Sequence, residues 1–214
     1  MNRIPLIIRD CGLCGYEPMH EEQKRIVELV HSGQAAGTVL LLEHKPVITL
    51  GARQSENKLI ATERELASGG IELHPVRRGG GTTAHNPGQL VIYPIIDLRQ
   101  LDLGINEFIR ELEQVGIDAL AAAGVDAVRV KGLPGLWIGS EKIASIGVKV
   151  SMGITYHGMA VNVCNDLSIF NNIVPCGIDN VVMTSVQKQG IDCSLDEFKK
   201  ITAAVIAGRW GLEA

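Results

Sequence analysis

The stretch "DAVRVKGLPGLWIGSEKIASIGVKVSMGITYHGMAVNV", residues 126–163, decides the fold. Four apolar segments, DAVRV, GLWIG, KIASIGVKV and ITYHGMAVNV, follow one another with only Gly- or Ser-bearing turns between them. Segments of this kind read as strands. A parallel connection needs a crossover of a dozen or more residues. Turns this short therefore predict an antiparallel meander.

Upstream of the meander, Ile105, Phe108, Ile109, Leu112 and Val115 recur at helical spacing, so residues 105–122 read as the longest helix. Before it, "QLVIYPIIDL" is a long apolar strand, and "IELHPV" is a strand running into the glycines at 79–81. Thr62 with Glu65 forms a capping-box pattern opening a short helix, which Gly69-Gly70 stops. "GTVLLLEHKPVITLG" gives two strands broken at His44-Lys45-Pro46. Glu21 to Val30 reads as an amphipathic helix and Ile4 to Arg9 as a strand. Downstream, Ser194 with Glu197 makes a second capping-box pattern at the start of a final helix. Strands come in groups with helices between the groups. That predicts an α+β fold, a mixed sheet flanked by helices, in one domain spanning 1–214.

The chain is 46% hydrophobic and 21% charged, with net charge −4, so no broad basic surface offers itself to nucleic acid. The apolar run Ile4 to Ile8 closes on Arg9-Asp10 and suits neither a signal peptide nor a membrane span. Five cysteines, an odd number, predict reduced thiols and a cytoplasmic setting. Cys11-x-x-Cys14 has no second pair and no closely spaced histidines beside it, so no metal role is expected. Cys164 reads as a packing residue at a strand end, and Cys193 as peripheral.

"VRRGGGTTAHNPGQLVIYP", residues 76–94, is the most unusual stretch. Consecutive glycines between two strands remove side chains where a ligand or another backbone comes close, and their N–H groups can face a carbonyl or phosphate oxygen. No Gly-Lys-Ser/Thr follows, which excludes a P-loop. A strand follows the glycines and no helix does, which excludes a Rossmann loop. In "NNIVPCGIDN", residues 171–180, Cys176 enters a Pro-Cys-Gly turn, a way to present a thiol at a loop tip and also an ordinary turn.

Five motifs, "LLEHKPVITLG", "RRGGGTTAHNPGQLVIYPIIDL", "PGLWIGSEKIASIGVKV", "HGMAVNV" and "PCGI", occur in an order that resembles the lipoyl(octanoyl) transferases of lipoate biosynthesis. The resemblance implies the fold of the biotin/lipoate protein ligase catalytic domain. It also implies transfer of an octanoyl group from octanoyl-acyl carrier protein to a lysine of a lipoyl domain or of glycine-cleavage H protein. No cofactor, nucleic acid or membrane is implied. Cys176 would match the acylated nucleophile and Lys142 the paired acid/base. Arg78, Gly79, Gly80, Gly81, Thr82, Thr83, Ala84 and His85 would match the loop holding the acyl thioester. Ser145, Ile146 and Gly147, with Gly158, Met159 and Ala160, would match two strand segments lining an acyl tunnel. Ala84 and Asn86 depart from the family's usual aromatic residue and glycine, and the pair Arg77-Arg78 leans toward the ligases.

The residue types suit that chemistry. A thioester is already activated, so transfer to an amine needs a nucleophile, a proton acceptor and oxyanion stabilisation, but no ATP. A free thiol has a pKa of about 8.5, and a neighbouring ammonium favours its thiolate. Strand parity places the rival Lys149 on the other face of the sheet from Lys142. Gly147, Gly153 and Gly158 would leave room for the acyl chain, with Ile146, Met159 and Val161 lining it. Arg77, Arg78, Lys131 and Lys142 would form a basic rim for an acidic carrier. Two other readings stay open: an ATP-dependent lipoate or biotin ligase, and a non-catalytic acyl- or carrier-binding module.

Overall fold

The meander forms as the short turns require. In a computed structural model, β7 (Val128–Val130), β8 (Leu133–Ile138), β9 (Glu141–Ser151) and β10 (Ile154–Asn162) pair antiparallel in chain order. The structure describes residues 2–178 and 180–211, apart from the side chain of Cys176. The meander continues through β6 (Gln89–Ile95) and β2 (Gly37–His44) to β1 (Leu6–Cys14), giving the order β1-β2-β6-β10-β9-β8-β7. β1 pairs parallel to β2, so the sheet is mixed, and the short β11 (Val182–Met183) runs parallel beside β9.

Helices cover both faces. On one, α4 (Ile105–Ala122) and α5 (Leu195–Trp210) close a core of Leu41, Ile92, Phe108, Leu112, Leu136 and Trp210. On the other, α1 (Tyr16–His31) packs Met19, Ile26 and Val30 against Leu40, Val91 and Ile95. A second sheet, β4 (Glu72–Pro75), β3 (Val47–Leu50) and β5 (Thr83–His85), shelters a smaller core with α2 (Glu63–Ser68). The single four-residue turn of α3 is Leu98–Leu101.

The local signals set most boundaries. Thr62 and Glu65 make both halves of the capping box, whereas at Ser194 only the hydroxyl's half forms, accepting from the Glu197 N–H. α1 begins at Tyr16, not Glu21, because Pro18 falls in the first turn, where a missing N–H leaves no partner unmet. β1 runs past Arg9 to Cys14 across a register shift at Asp10–Leu13, where Gly12 has a φ of +61°. β5 lies inside the expected glycine loop: Thr83, Ala84 and His85 pair with Thr49, Ile48 and Val47. The two cysteine expectations are reversed, since Cys164 is exposed and Cys193 packs into the core under α5.

Candidate active site

The glycine loop is held down against the large sheet. Gly79 donates its N–H to the carbonyl of Val148 at 3.1 Å, and a Cβ on Gly147 would stand 2.7 Å from the Gly79 carbonyl oxygen. Residue 147 must therefore lack a side chain. Arg78 turns inward, 7% exposed, and donates to the Thr49 hydroxyl at 2.6 Å and the Thr49 carbonyl at 3.1 Å. Arg77 points to solvent.

Loop and sheet border a narrow cavity. Arg78, Gly80, Thr83 and His85 line it from the loop side, and Ser145, Ile146, Gly147, Gly158, Met159 and Ala160 from β9 and β10. The other loop residues serve the scaffold. Ala84 packs in the small core, Gly81 lies against Glu56, and the Thr82 hydroxyl accepts the Lys58 N–H at 3.1 Å. Two expected cavity residues are elsewhere: Gly153 sits in the β9–β10 turn beside Arg99, and Val161 belongs to the α4 core.

A wider cleft shares Gly80, Ile146 and Gly147 with the cavity and opens outward past Arg53, Pro134 and Ile178. The tight turn Pro175–Gly177 immediately precedes Ile178, which lines the cleft. That turn is fastened at Val174, which donates to the Lys58 carbonyl at 3.0 Å. The Cys176 side chain itself lies outside the described residues.

Lys142 is fully buried. Its face is set by a β-bulge. Leu136 pairs with Ala144, but the next residue, Trp137, pairs with Lys142, so Ile143 is an extra residue on β9. Leu136, Ile143 and Ala144 all join the α4 core. Trp137 follows Leu136 in the strand and leaves the opposite face, taking Lys142 with it to the side of Ser145 and Gly147. The parity argument against Lys149 therefore fails, because the bulge puts both lysines on one face. Their settings differ: the Lys149 ammonium lies 5.5 Å from the Tyr156 ring centre, the Lys142 ammonium 5.3 Å from that of Trp137. Burial of Arg78 and Lys142 also removes half of the expected basic rim, leaving Arg77 and Lys131 on the surface.

A ring cluster, absent from the sequence reading, walls the cavity on the α1 side. Tyr16, Tyr93 and His157 line it, and His20, His44, His74, His85 and Tyr156 connect with them at ring separations of 4.8 to 6.3 Å. His44 donates from Nδ1 to the Cys14 carbonyl at 3.2 Å, so its Nε2 accepts from the Tyr93 hydroxyl at 2.9 Å. His85 donates from Nδ1 to Gln89 Oε1 at 2.7 Å. Burial pushes His44 down to about 4, His85 down to about 3 and His157 well below the usual imidazole range. All three are neutral imidazoles at pH 7. His157 holds a φ of +56° in mid-strand, its N–H donating to Gln23 Oε1 at 2.8 Å. A non-glycine residue in this conformation marks a position that the surrounding structure holds in place. Its signal in the sequence was the His-Gly pair in "HGMAVNV".

Among the described residues, no group of three or more His, Cys, Asp or Glu side chains is placed to hold a metal ion, and Cys14 instead donates to the Cys11 carbonyl at 3.2 Å. No helix there is long and apolar enough to cross a membrane.

Residues 16–207 match the lipoyl protein ligase A/B catalytic domain. The chain is 44% identical over 194 residues to an octanoyltransferase of Acidobacterium capsulatum, covering 85% of this chain and 79% of that protein. It is 44% identical over 190 residues to an octanoyltransferase of Solibacter usitatus, covering 89% and 86%. Among solved structures it superposes on a lipoate-protein ligase A bound with ATP at a TM-score of 0.71 and 17% identity, over 100% of this chain and 89% of the other.

Proposed function

The chain belongs to the octanoyltransferases, acyltransferases built on the lipoyl protein ligase A/B catalytic domain, and from that premise we propose the following reaction. Octanoyl-acyl carrier protein donates its acyl group to Cys176, and a lysine of a lipoyl domain or of glycine-cleavage H protein receives it, in the cytoplasm. The identity with proteins named octanoyltransferase carries this reading; the burial of Lys142 and the cavity between the glycine loop and β9–β10 support it.

In the first half-reaction the Cys176 thiolate attacks the thioester carbonyl. A new C–S bond forms and the old one breaks, and the carrier leaves as a thiol after taking a proton from Lys142. In the second, the acceptor amine attacks the acyl-enzyme, Lys142 takes the proton that the amine loses, and Cys176 departs as thiolate. The octanoyl chain lies in the cavity against Val91, Ile146 and Ala160. Burying its methylenes at about 0.8 kcal/mol each contributes several kcal/mol to binding. Arg78 and Gly80, which line the cavity from the loop side, face the carbonyl end.

Intact-mass spectrometry tests this directly. Mixed with octanoyl-acyl carrier protein and no ATP, the protein gains one octanoyl mass, which hydroxylamine removes and Cys176→Ala prevents. If instead octanoate is transferred only when ATP is supplied, and Cys176→Ala works equally well, the chain is a ligase.

A further inference from the structure

Beyond the proposed proton-transfer role of Lys142, the structure shows how its side chain is held. The Ile143 bulge turns residue 142 onto the face it shares with Trp137. Gly135, two residues before Trp137 on β8, has a φ of +109°. A Cβ there would overlap the Ala144 carbonyl and stand 2.8 Å from Lys142 Cε, so the lysine stem occupies the space a side chain at 135 would need. The indole of Trp137 is 3% exposed, and its Nε1–H donates to the Leu133 carbonyl at 3.2 Å. Its ring centre is 5.3 Å from the Lys142 ammonium, within cation–π range. The main chain of Lys142 is fixed on both edges, by the pairing with Trp137 and by the Thr184 N–H at 2.9 Å.

We propose that Trp137 and Gly135 are positioning residues for Lys142: the indole face holds the ammonium, and the missing side chain of Gly135 admits the stem. A lysine has four rotatable bonds, and the cradle restricts them at the stem, beside Gly135, and at the ammonium, over Trp137. The inference rests on Lys142 being the proton-transfer group, and its test separates the two ideas.

Single-turnover transfer from octanoyl-acyl carrier protein is measured for wild type, Lys142→Met, Gly135→Ala, Trp137→Leu and Trp137→Phe, with tryptophan emission spectra of each. Trp137→Leu slows transfer about tenfold with KM for the donor unchanged, in line with the loss of one buried cation–π contact. Trp137→Phe keeps a ring and recovers most of the rate, whereas Gly135→Ala loses more than Trp137→Leu. Lys142→Met shifts the emission of the wild-type protein but not of Trp137→Phe, whose remaining tryptophan, Trp210, packs against Phe108. Equal rates for Trp137→Leu and Trp137→Phe, or an emission spectrum unmoved by Lys142→Met, overturn the cradle. Wild-type transfer by Lys142→Met would sink the proton-transfer role instead, with the emission shift still deciding the cradle.

Discussion

Thr184 donates its N–H to the carbonyl of Lys142 at 2.9 Å, and its own carbonyl accepts from Asn162 Nδ2 at 2.9 Å. The chain of bonds goes on: Gln89 Nε2 donates to Asn162 Oδ1 at 2.9 Å, and Gln89 Oε1 accepts from His85. Every member is buried. The imidazole at one end of the cavity and the main chain of the lysine are thus parts of one polar network running from β5 through β6 and β10 to Thr184, just past β11.

Asn162 is the centre of that network. Asn162→Leu leaves the Thr184 carbonyl without its donor and takes one of two acceptors from Gln89 Nε2, which keeps the Ala84 carbonyl at 3.3 Å, at a cost of about 1 to 3 kcal/mol. Urea denaturation should show that loss. Transfer should fall as well, because β11 no longer holds Lys142 from its edge. A stable Asn162→Leu with normal turnover would mean that the network is dispensable.

Gly147 divides the inner cavity from the outer cleft. Gly147→Val brings side-chain atoms against the Gly79 carbonyl and Arg78 Cδ, which stand 2.7 and 3.0 Å from where a Cβ would lie. Overpacking of this kind costs about 1 to 3 kcal/mol. Acyl-enzyme formation should suffer more with an eight-carbon donor than with a four-carbon one, because the longer chain has to pass the constriction. Equal losses on both donors would place the acyl chain elsewhere.

Stability should fall steeply in weak acid. His44, His85 and His157 have folded pKa values depressed by burial, two of them to about 4 and about 3. Their unfolded value is about 6.5. Below pH 6.5 the unfolded chain binds protons that the folded chain refuses, so stability rises with pH up to about 6.5 and drops below it. At pH 5.5 the three together remove roughly 4 kcal/mol relative to neutral pH. Urea midpoints measured from pH 7.5 to 5 check this, and His157→Asn should remove about a third of the slope. A flat profile would show that the imidazoles are not the neutral, buried groups described.

The legible parts of this molecule are those written in neighbouring residues. Short turns at 131–132, 139–140 and 152–153 gave the meander its direction, Thr62 and Glu65 announced their helix, and Gly79 to Gly81 marked a close approach. The face on which Lys142 lies could not be read this way. It depends on Ile143 being skipped in a register that only the partner strand defines, and simple alternation led to the wrong conclusion about Lys149. The ring cluster was hidden for the same reason. His20, His44, His85 and His157 are far apart in the chain, and they meet only because α1 and β5 pack where β2, β6 and β10 lie side by side.

The kink at His157 has a cause that mutation can isolate. Alternation along β10 would send residue 157 toward the α4 core, with Met159 and Val161. The φ of +56° instead turns the imidazole to the α1 side, where it stacks on Tyr156 at 4.8 Å and His20 at 5.1 Å. This conformation frees the His157 N–H, and Gln23, a fully buried residue of α1, accepts it. Gln23→Leu keeps the volume but removes the acceptor, so it should cost about 2 kcal/mol through an unsatisfied buried N–H. His157→Val should cost more than His157→Asn by about 1 to 2 kcal/mol, since asparagine tolerates the left-handed region and a β-branched residue does not. Both comparisons are read from urea midpoints at pH 7.5, where the imidazole is neutral. If valine proves as stable as asparagine, the strand has relaxed to regular alternation, and the kink was not held by its surroundings.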